Sequence, residues 1–196
     1  FSRTKYFANA EEAGPVHFVS CRFGIPFLDN PGFRQDPKLC GGAFWDVACY
    51  TSSAILELFP KQEIRVVFSE ICKKEKYPVD FEGRALLSLS NGVKAYLDWG
   101  VGLGYKNEID LWAEHGSLYT DKIFSKPKDY QPVFQLRDKK GIQSFEDGVK
   151  SDQFVSMLSN LRSMLYDRKK IINERNRILL RAKLMDEIFQ FSNKYS

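Results

Sequence analysis

The sequence predicts an α+β fold, an open and mainly antiparallel sheet with helices packed on one face, in a single domain over residues 1–196. Three observations predict it. Period-two segments fill the middle of the chain, helical three-and-four spacing flanks them on both sides, and an Asn-Gly step joins two of the strands. The resulting order is one strand, one helix, a run of strands and two helices. A parallel nucleotide-binding sheet would instead alternate strand with helix.

The elements follow in chain order. Residues 15–28 (PVHFVSCRFGIPFL) alternate loosely between apolar and polar and carry Val and Phe, which suit a pleated surface, so they form a first strand. Residues 29–42 (DNPGFRQDPKLCGG) concentrate Pro, Gly, Asp and Asn, whose turn dihedrals and local side-chain hydrogen bonds compete with regular structure. They form a loop. In residues 43–59, Phe44, Val47, Ala48, Thr51, Ile55 and Leu58 recur on one helical face, and Pro60 ends the helix. The period then changes to two over residues 63–75, 80–91, 93–101, 108–121 and 132–138, which are five strands. Asn91-Gly92 accepts the positive φ of a tight turn, so the second and third of these form a hairpin. The lysine-rich residues 121–132 form a solvated loop. Two terminal helices follow, one with a stripe of Phe154, Met157, Leu161 and Met164, the next with Ile178, Ala182, Met185 and Phe189, and both are expected to pack on the sheet. Arg168-Lys169-Lys170 and the NERNR segment read as a solvated helix junction and helix face.

Composition narrows the function. With 29 basic and 25 acidic residues the net charge is +4, and the basic residues are dispersed rather than gathered into a stripe that could track phosphates, so no nucleic-acid partner is expected. No apolar run approaches the roughly 20 residues that span a bilayer, and FSRTKYFANA lacks a signal core, so no membrane partner is expected and the reading is soluble and cytoplasmic. The start at Phe1 reads as a piece of a longer chain. Cys21, Cys40, Cys49 and Cys72 form no CxxC pair, which argues against a structural metal or disulfide framework. Reduced, mostly buried thiols are the expectation.

The informative stretch runs from Phe33 to Tyr50. Gly41 and Gly42 end a loop and begin a helix, where backbone comes close to a ligand and free N–H groups face it. Asp46 and Tyr50 are four residues apart, which puts a carboxylate and a phenol on one helix face. Such a pair binds sugar hydroxyls, or the carboxylate orients a phenol that gives or takes a proton. The plainer reading is a solvating Asp46 and a half-buried amphipathic Tyr50.

This stretch resembles the Arg-x-Asp-Pro, Gly-Gly-Gly-Ala-Leu-x-Asp-x-Gly-x-(His or Tyr) signature that opens the first helix of the C-terminal domain in Gfo/Idh/MocA oxidoreductases. The matching residues are Arg34, Asp36, Pro37, Gly41, Gly42, Ala43, Asp46 and Tyr50. Asn91-Gly92 and the segment Glu114 to Leu118 are similar to family features more weakly. The resemblance implies a substrate-binding and dimerisation domain, with NAD or NADP held by a Rossmann domain absent from this chain. Family members use a lysine of that absent domain together with the Asp and the His or Tyr of the signature. The resemblance therefore implies that Asp46 holds the reacting hydroxyl of a sugar, nucleotide sugar or cyclitol and that Tyr50 is the acid or base. Arg34, Gly41, Gly42 and His115 are the implied substrate contacts, although Arg34 has a second reading as an ion-pair partner of Asp36 and His115 as an ordinary surface histidine.

Cys40 departs from the first of the three glycines, and Ala48-Cys49 replaces the usual glycine-containing step. No GxGxxG follows a strand, and Gly100 to Gly104 lies between strands with no helix after it, so it reads as a loop or bulge and not as a dinucleotide site. This chain alone is expected neither to bind the dinucleotide tightly nor to turn over. Trp99 and Trp112 fall on strands and read either as core or as cover for a sheet face that, in the resembling family, meets a second subunit. Two functions stay open at this point: part of an NAD(P)-dependent sugar oxidoreductase, or a noncatalytic carbohydrate-binding or dimerisation module.

Overall fold

Alternating burial builds a single sheet in the computed structural model, which describes residues 1–75 and 77–194. The strands are β1 (Val16–Ile25), β2 (Ile64–Lys73), β3 (Asp80–Leu89), β4 (Lys94–Val101), β5 (Lys106–Ala113), β6 (Gly116–Asp121), β7 (Val133–Asp138) and β8 (Gln143–Asp147). They pair in the order β2-β3-β4-β1-β5-β6-β7-β8. Every neighbouring pair is antiparallel except β1 and β4. A parallel pair needs a crossover, and here the chain leaves β1 through the loop and helix of residues 26–58 before returning by way of β2 and β3. The sheet is open and mainly antiparallel, as expected. Asn91-Gly92 turns β3 into β4 with Gly92 at φ 91°.

The helices are α1 (Ser2–Ala8), α2 (Cys49–Leu58), α3 (Gln153–Met164) and α4 (Arg168–Lys194), with a π turn at Phe44–Ala48 leading into α2. All six residues of the apolar face anticipated for the first helix are buried: Phe44, Val47, Ala48, Thr51, Ile55 and Leu58. They lie over Val19, Cys21 and Phe23 of β1 and Leu97 and Trp99 of β4 in one core. Each fully buried large side chain there contributes roughly 1.5–3 kcal/mol.

Several expectations are corrected. The segment 108–121 is two strands, because Glu114 and His115 turn the chain between β5 and β6. The helix α1 and the exposed edge strand β8 were not expected, since α1 is short and β8 (QSFED) carries almost no apolar pattern. Of the two terminal helices α4 is the one that packs on the sheet, through its C-terminal half, and its buried apolar face is Leu184, Met185 and Ile188, which leaves Ile178 and Ala182 exposed. No residue of α3 is buried, so its apolar stripe lies uncovered. Of the cysteines only Cys21 is buried; Cys49 and Cys72 are half-buried and Cys40 is exposed. The two tryptophans divide between the readings, Trp99 at 2% exposure in the core and Trp112 at 64% on the open face. Among the described residues no helix is long and apolar enough to cross a membrane.

Candidate functional site

The site begins where the loop after β1 folds back on itself. Short 3-10 turns at Gly32–Gln35 and Pro37–Leu39 carry it, and the Asp36 carboxylate accepts the Lys38 N–H at 2.8 Å. The Gly41 N–H donates to the Asp36 carbonyl and the Gly42 N–H to the Arg34 carbonyl, both at 2.9 Å. A Cβ on Gly41 would lie 2.5 Å from the Phe33 carbonyl oxygen, and one on Gly42, at φ 116°, would lie 2.0 Å from Asp80 Oδ1. Only glycine fits either place. The two glycines therefore bring Arg34 back to the start of the helix, and their amides are engaged within the chain instead of facing a ligand.

Asp80, at the start of β3, caps that helix start by accepting the Phe44 N–H at 2.6 Å. Burial pushes its carboxyl up, against the hydrogen bonds from backbone amides that favour the charged form. Sequence reasoning missed Asp80. Its partner is 36 residues away, and no local pattern marks a cap delivered from another strand.

Arg34 pairs with Asp46 and not with Asp36. Its Nε donates to Asp46 Oδ2 at 2.7 Å, across a pair whose side chains are 33% and 18% exposed, and its guanidinium lies 4.9 Å over the Phe33 ring. Asp46 sits within the π turn, a local widening of the helix that recurs at functional sites. Tyr50, on the first turn of α2, is 44% exposed and sets its ring edge-on to Phe23 at 5.0 Å and to Phe124 at 6.5 Å. Burial raises the Tyr50 phenol first, the Cys49 and Asp46 charges add to this, and Arg34 opposes it. Tyr50 is thus a protonated donor at neutral pH, held beside an anchored carboxylate.

Beside Tyr50 opens a cleft of about 590 Å³, between Lys5 of α1, Ser53 and Glu57 of α2, Phe124, and Arg181 of α4. Tyr50 lines this cleft, and the Arg34–Asp46 ion pair, held in place through Gly41 and Gly42, is near enough for both charges to act on its phenol. His115 does not join them. Its backbone N–H donates to the Ala13 carbonyl beside Val16, whereas Tyr50 touches Phe23, and seven residues of strand separate those points by about 23 Å.

Gly100 to Gly104 sits between β4 and β5, and the Gly102 N–H donates to the Ile25 carbonyl at 2.7 Å. This glycine run therefore joins two strands, with no helix N-terminus after it to receive a dinucleotide pyrophosphate.

Residues 1–119 match the family model of the GFO/IDH/MocA C-terminal domain. The dTDP-3,4-didehydro-2,6-dideoxy-alpha-D-glucose 3-reductase of Saccharopolyspora spinosa is 28% identical over 131 residues, which are 67% of this chain and 39% of that protein. The reductase of the same name from Streptomyces violaceoruber is 28% identical over 144 residues, 73% of this chain and 42% of that protein. The chain thus spans about two-fifths of the length of the curated relatives it matches. Among solved structures, a 3-ketoreductase from Actinomadura kijaniata in complex with NADP and TDP-benzene superposes with a TM-score of 0.84 at 23% identity, over 97% of this chain and 58% of that one. An aldose-aldose oxidoreductase from Caulobacter crescentus complexed with glycerol superposes with a TM-score of 0.77 at 17% identity, over 99% and 61%. At these identities the superpositions establish a shared fold.

Proposed function

The chain belongs to the GFO/IDH/MocA family as one of its C-terminal domains, and from that premise we propose that it is the substrate-binding and subunit-pairing domain of an NAD(P)-dependent oxidoreductase acting on a nucleotide sugar. The observation that carries this is the grouping of Tyr50, which lines the cleft, with the Arg34–Asp46 ion pair whose charges act on its phenol. The 3-reductase relatives and the NADP and TDP-benzene complex of the Actinomadura kijaniata enzyme support a nucleotide sugar as the substrate class. Dinucleotide binding is assigned to a further domain of the full-length polypeptide and the residues here to the substrate side.

In the reductive direction a sugar ketone becomes an alcohol, and its oxygen needs a proton as negative charge develops on it. The Tyr50 phenol, kept protonated by its surroundings, donates that proton. Asp46 accepts a hydrogen bond from a neighbouring sugar hydroxyl. Its orientation is held by Arg34 Nε, so Arg34 positions the carboxylate and Gly41 and Gly42 position Arg34. His115, at the far end of the sheet, takes no part in this reading.

The open face of the sheet supplies the second half of the proposal. Phe18 stands 5.7 Å from Trp112 and 6.5 Å from Tyr96, a connected aromatic patch that we assign to contact with a second copy of the chain. The test of the chemistry is Tyr50→Phe in the full-length polypeptide, assayed with NADPH and a 3-keto nucleotide sugar. A loss of about 10²–10⁴ in kcat is expected from removing a general acid. Unchanged turnover removes Tyr50 from the mechanism.

A further inference from the structure

Among the described residues, the charged side chains around the Tyr50 cleft pair off, apart from one. Glu57 accepts Lys5 Nζ at 2.8 Å on one carboxylate oxygen and Arg177 on the other. Arg177 also reaches Glu174 at 3.1 Å, so two cations meet two carboxylates. Asp46 is taken by Arg34. Arg181, which lines the same cleft, meets no carboxylate among the described residues, and its Nε is buried without an acceptor. It shares the lining of that cleft with Cys49, Tyr50 and Ser53.

We propose that Arg181 is the anchor for the diphosphate of the nucleotide-sugar substrate, an inference that rests on the reading of the function given above. A guanidinium is charged at any working pH and presents a planar fork of donors, the geometry that holds phosphate oxygens two at a time. Left without an acceptor, a partly buried guanidinium forgoes hydrogen bonds it would make in water, and an anionic ligand restores them. The cleft, at about 590 Å³, falls within the roughly 300–1,000 Å³ of small-ligand sites. With the sugar at Tyr50, the diphosphate on the anomeric carbon runs along Ser53 of α2 toward Arg181 of α4. Arg181 thereby sets the register of the sugar ring against Tyr50, and the substrate needs a charged diphosphate handle that a free sugar lacks.

The test titrates inorganic pyrophosphate, TDP and NADP separately into the full-length polypeptide and into its Arg181→Gln and Arg181→Lys variants. Arg181→Gln is expected to weaken pyrophosphate and TDP at least tenfold and to leave NADP within twofold. Arg181→Lys, which keeps the charge and loses the fork, is expected to fall between. In turnover of the nucleotide sugar the Gln variant raises KM by a similar factor with kcat little changed, whereas general disruption of the fold would lower kcat and weaken NADP as well. Unchanged pyrophosphate and TDP affinities overturn the proposal, as for an arginine that meets a carboxylate of a preceding domain. A loss confined to NADP also overturns it, because the arginine then serves the dinucleotide. Pyrophosphate binding that depends on Arg181, in a protein that turns over no nucleotide sugar, keeps the anion site and removes the functional reading on which its occupant was named.

Discussion

Trp99 and Trp112 are the same residue on adjoining parts of one sheet, and they meet opposite fates. Trp99 faces α2 and α4, packs edge-on to Phe44 at 5.6 Å and is 2% exposed; Trp112 faces outward with Phe18 and is 64% exposed. The covered face closes within this chain mainly through apolar contacts. The open face is divided along its strands, with aromatics Phe18, Tyr96 and Trp112 toward one end and a charged network toward the other. In that network Arg22 meets Glu108 at 3.0 Å and Asp98 at 3.6 Å, while Lys106 and the Tyr119 hydroxyl reach Glu108, each at 3.0 Å. The difference teaches that alternation along a strand divides its side chains into two sets, while the chain's own helices supply cover for one set only.

The largest expected effect is on the covered face. Trp99→Ala should cost about 3–5 kcal/mol in urea unfolding, whereas Trp112→Ala should change the unfolding of the monomer by no more than about 0.5 kcal/mol. Equal losses would erase the distinction between the faces. Next in size is self-association. Trp112→Glu puts a charge in the aromatic patch and should weaken any dimer at least tenfold in sedimentation velocity, with the fold retained. A dimer of undiminished affinity would move the subunit contact elsewhere.

The smallest effects are on the charged end and depend on pH. Burial pushes Glu108 up, but hydrogen bonds from Lys106 and Tyr119, helped by the Lys106 and Arg22 charges, hold its carboxyl below the usual range. Its folded value is depressed, so its contribution is complete above the ordinary glutamate range of about pH 4.3 and is lost as pH falls through the lower folded value. Tyr119 moves the other way. Burial, then its hydrogen bond to Glu108, pushes the phenol up to about 12, so its contribution holds below about pH 10 and is lost as pH rises toward 12. Ultraviolet titration should show the Tyr119 and Tyr130 phenols both ionising near pH 12, and Glu108→Gln should bring the Tyr119 signal downward while the Tyr130 signal, set by Asp121, stays. A Tyr119 signal that stays in place would detach Tyr119 from Glu108.

Much of this was legible in the residues. The six-residue stripe of the first helix, the Asn91-Gly92 hairpin and the proximity of Asp46 to Tyr50 are local, set by spacing along a single element. The readings that needed correction have the opposite character. The apolar stripes of α3 and α4 look alike in sequence, yet Leu184, Met185 and Ile188 find the sheet and Phe154, Met157 and Leu161 stay exposed. The Glu114–His115 turn interrupts a segment whose alternation reads as one strand. Arg34 turned to Asp46, not Asp36, because the amides of Gly41 and Gly42 close the loop toward the helix.

By itself, then, the sequence determined the fold class, the periods of its elements and the carboxylate and phenol that share one helix edge, because each follows from neighbours within a few residues. Only the tertiary structure decided that Asp80 caps the helix start, that His115 lies a sheet's length from Tyr50 and that Arg181 stands unmatched in the cleft. Those relations join residues far apart in the chain. Their energies arise from packing, hydrogen bonds and charge across elements, which no local pattern encodes.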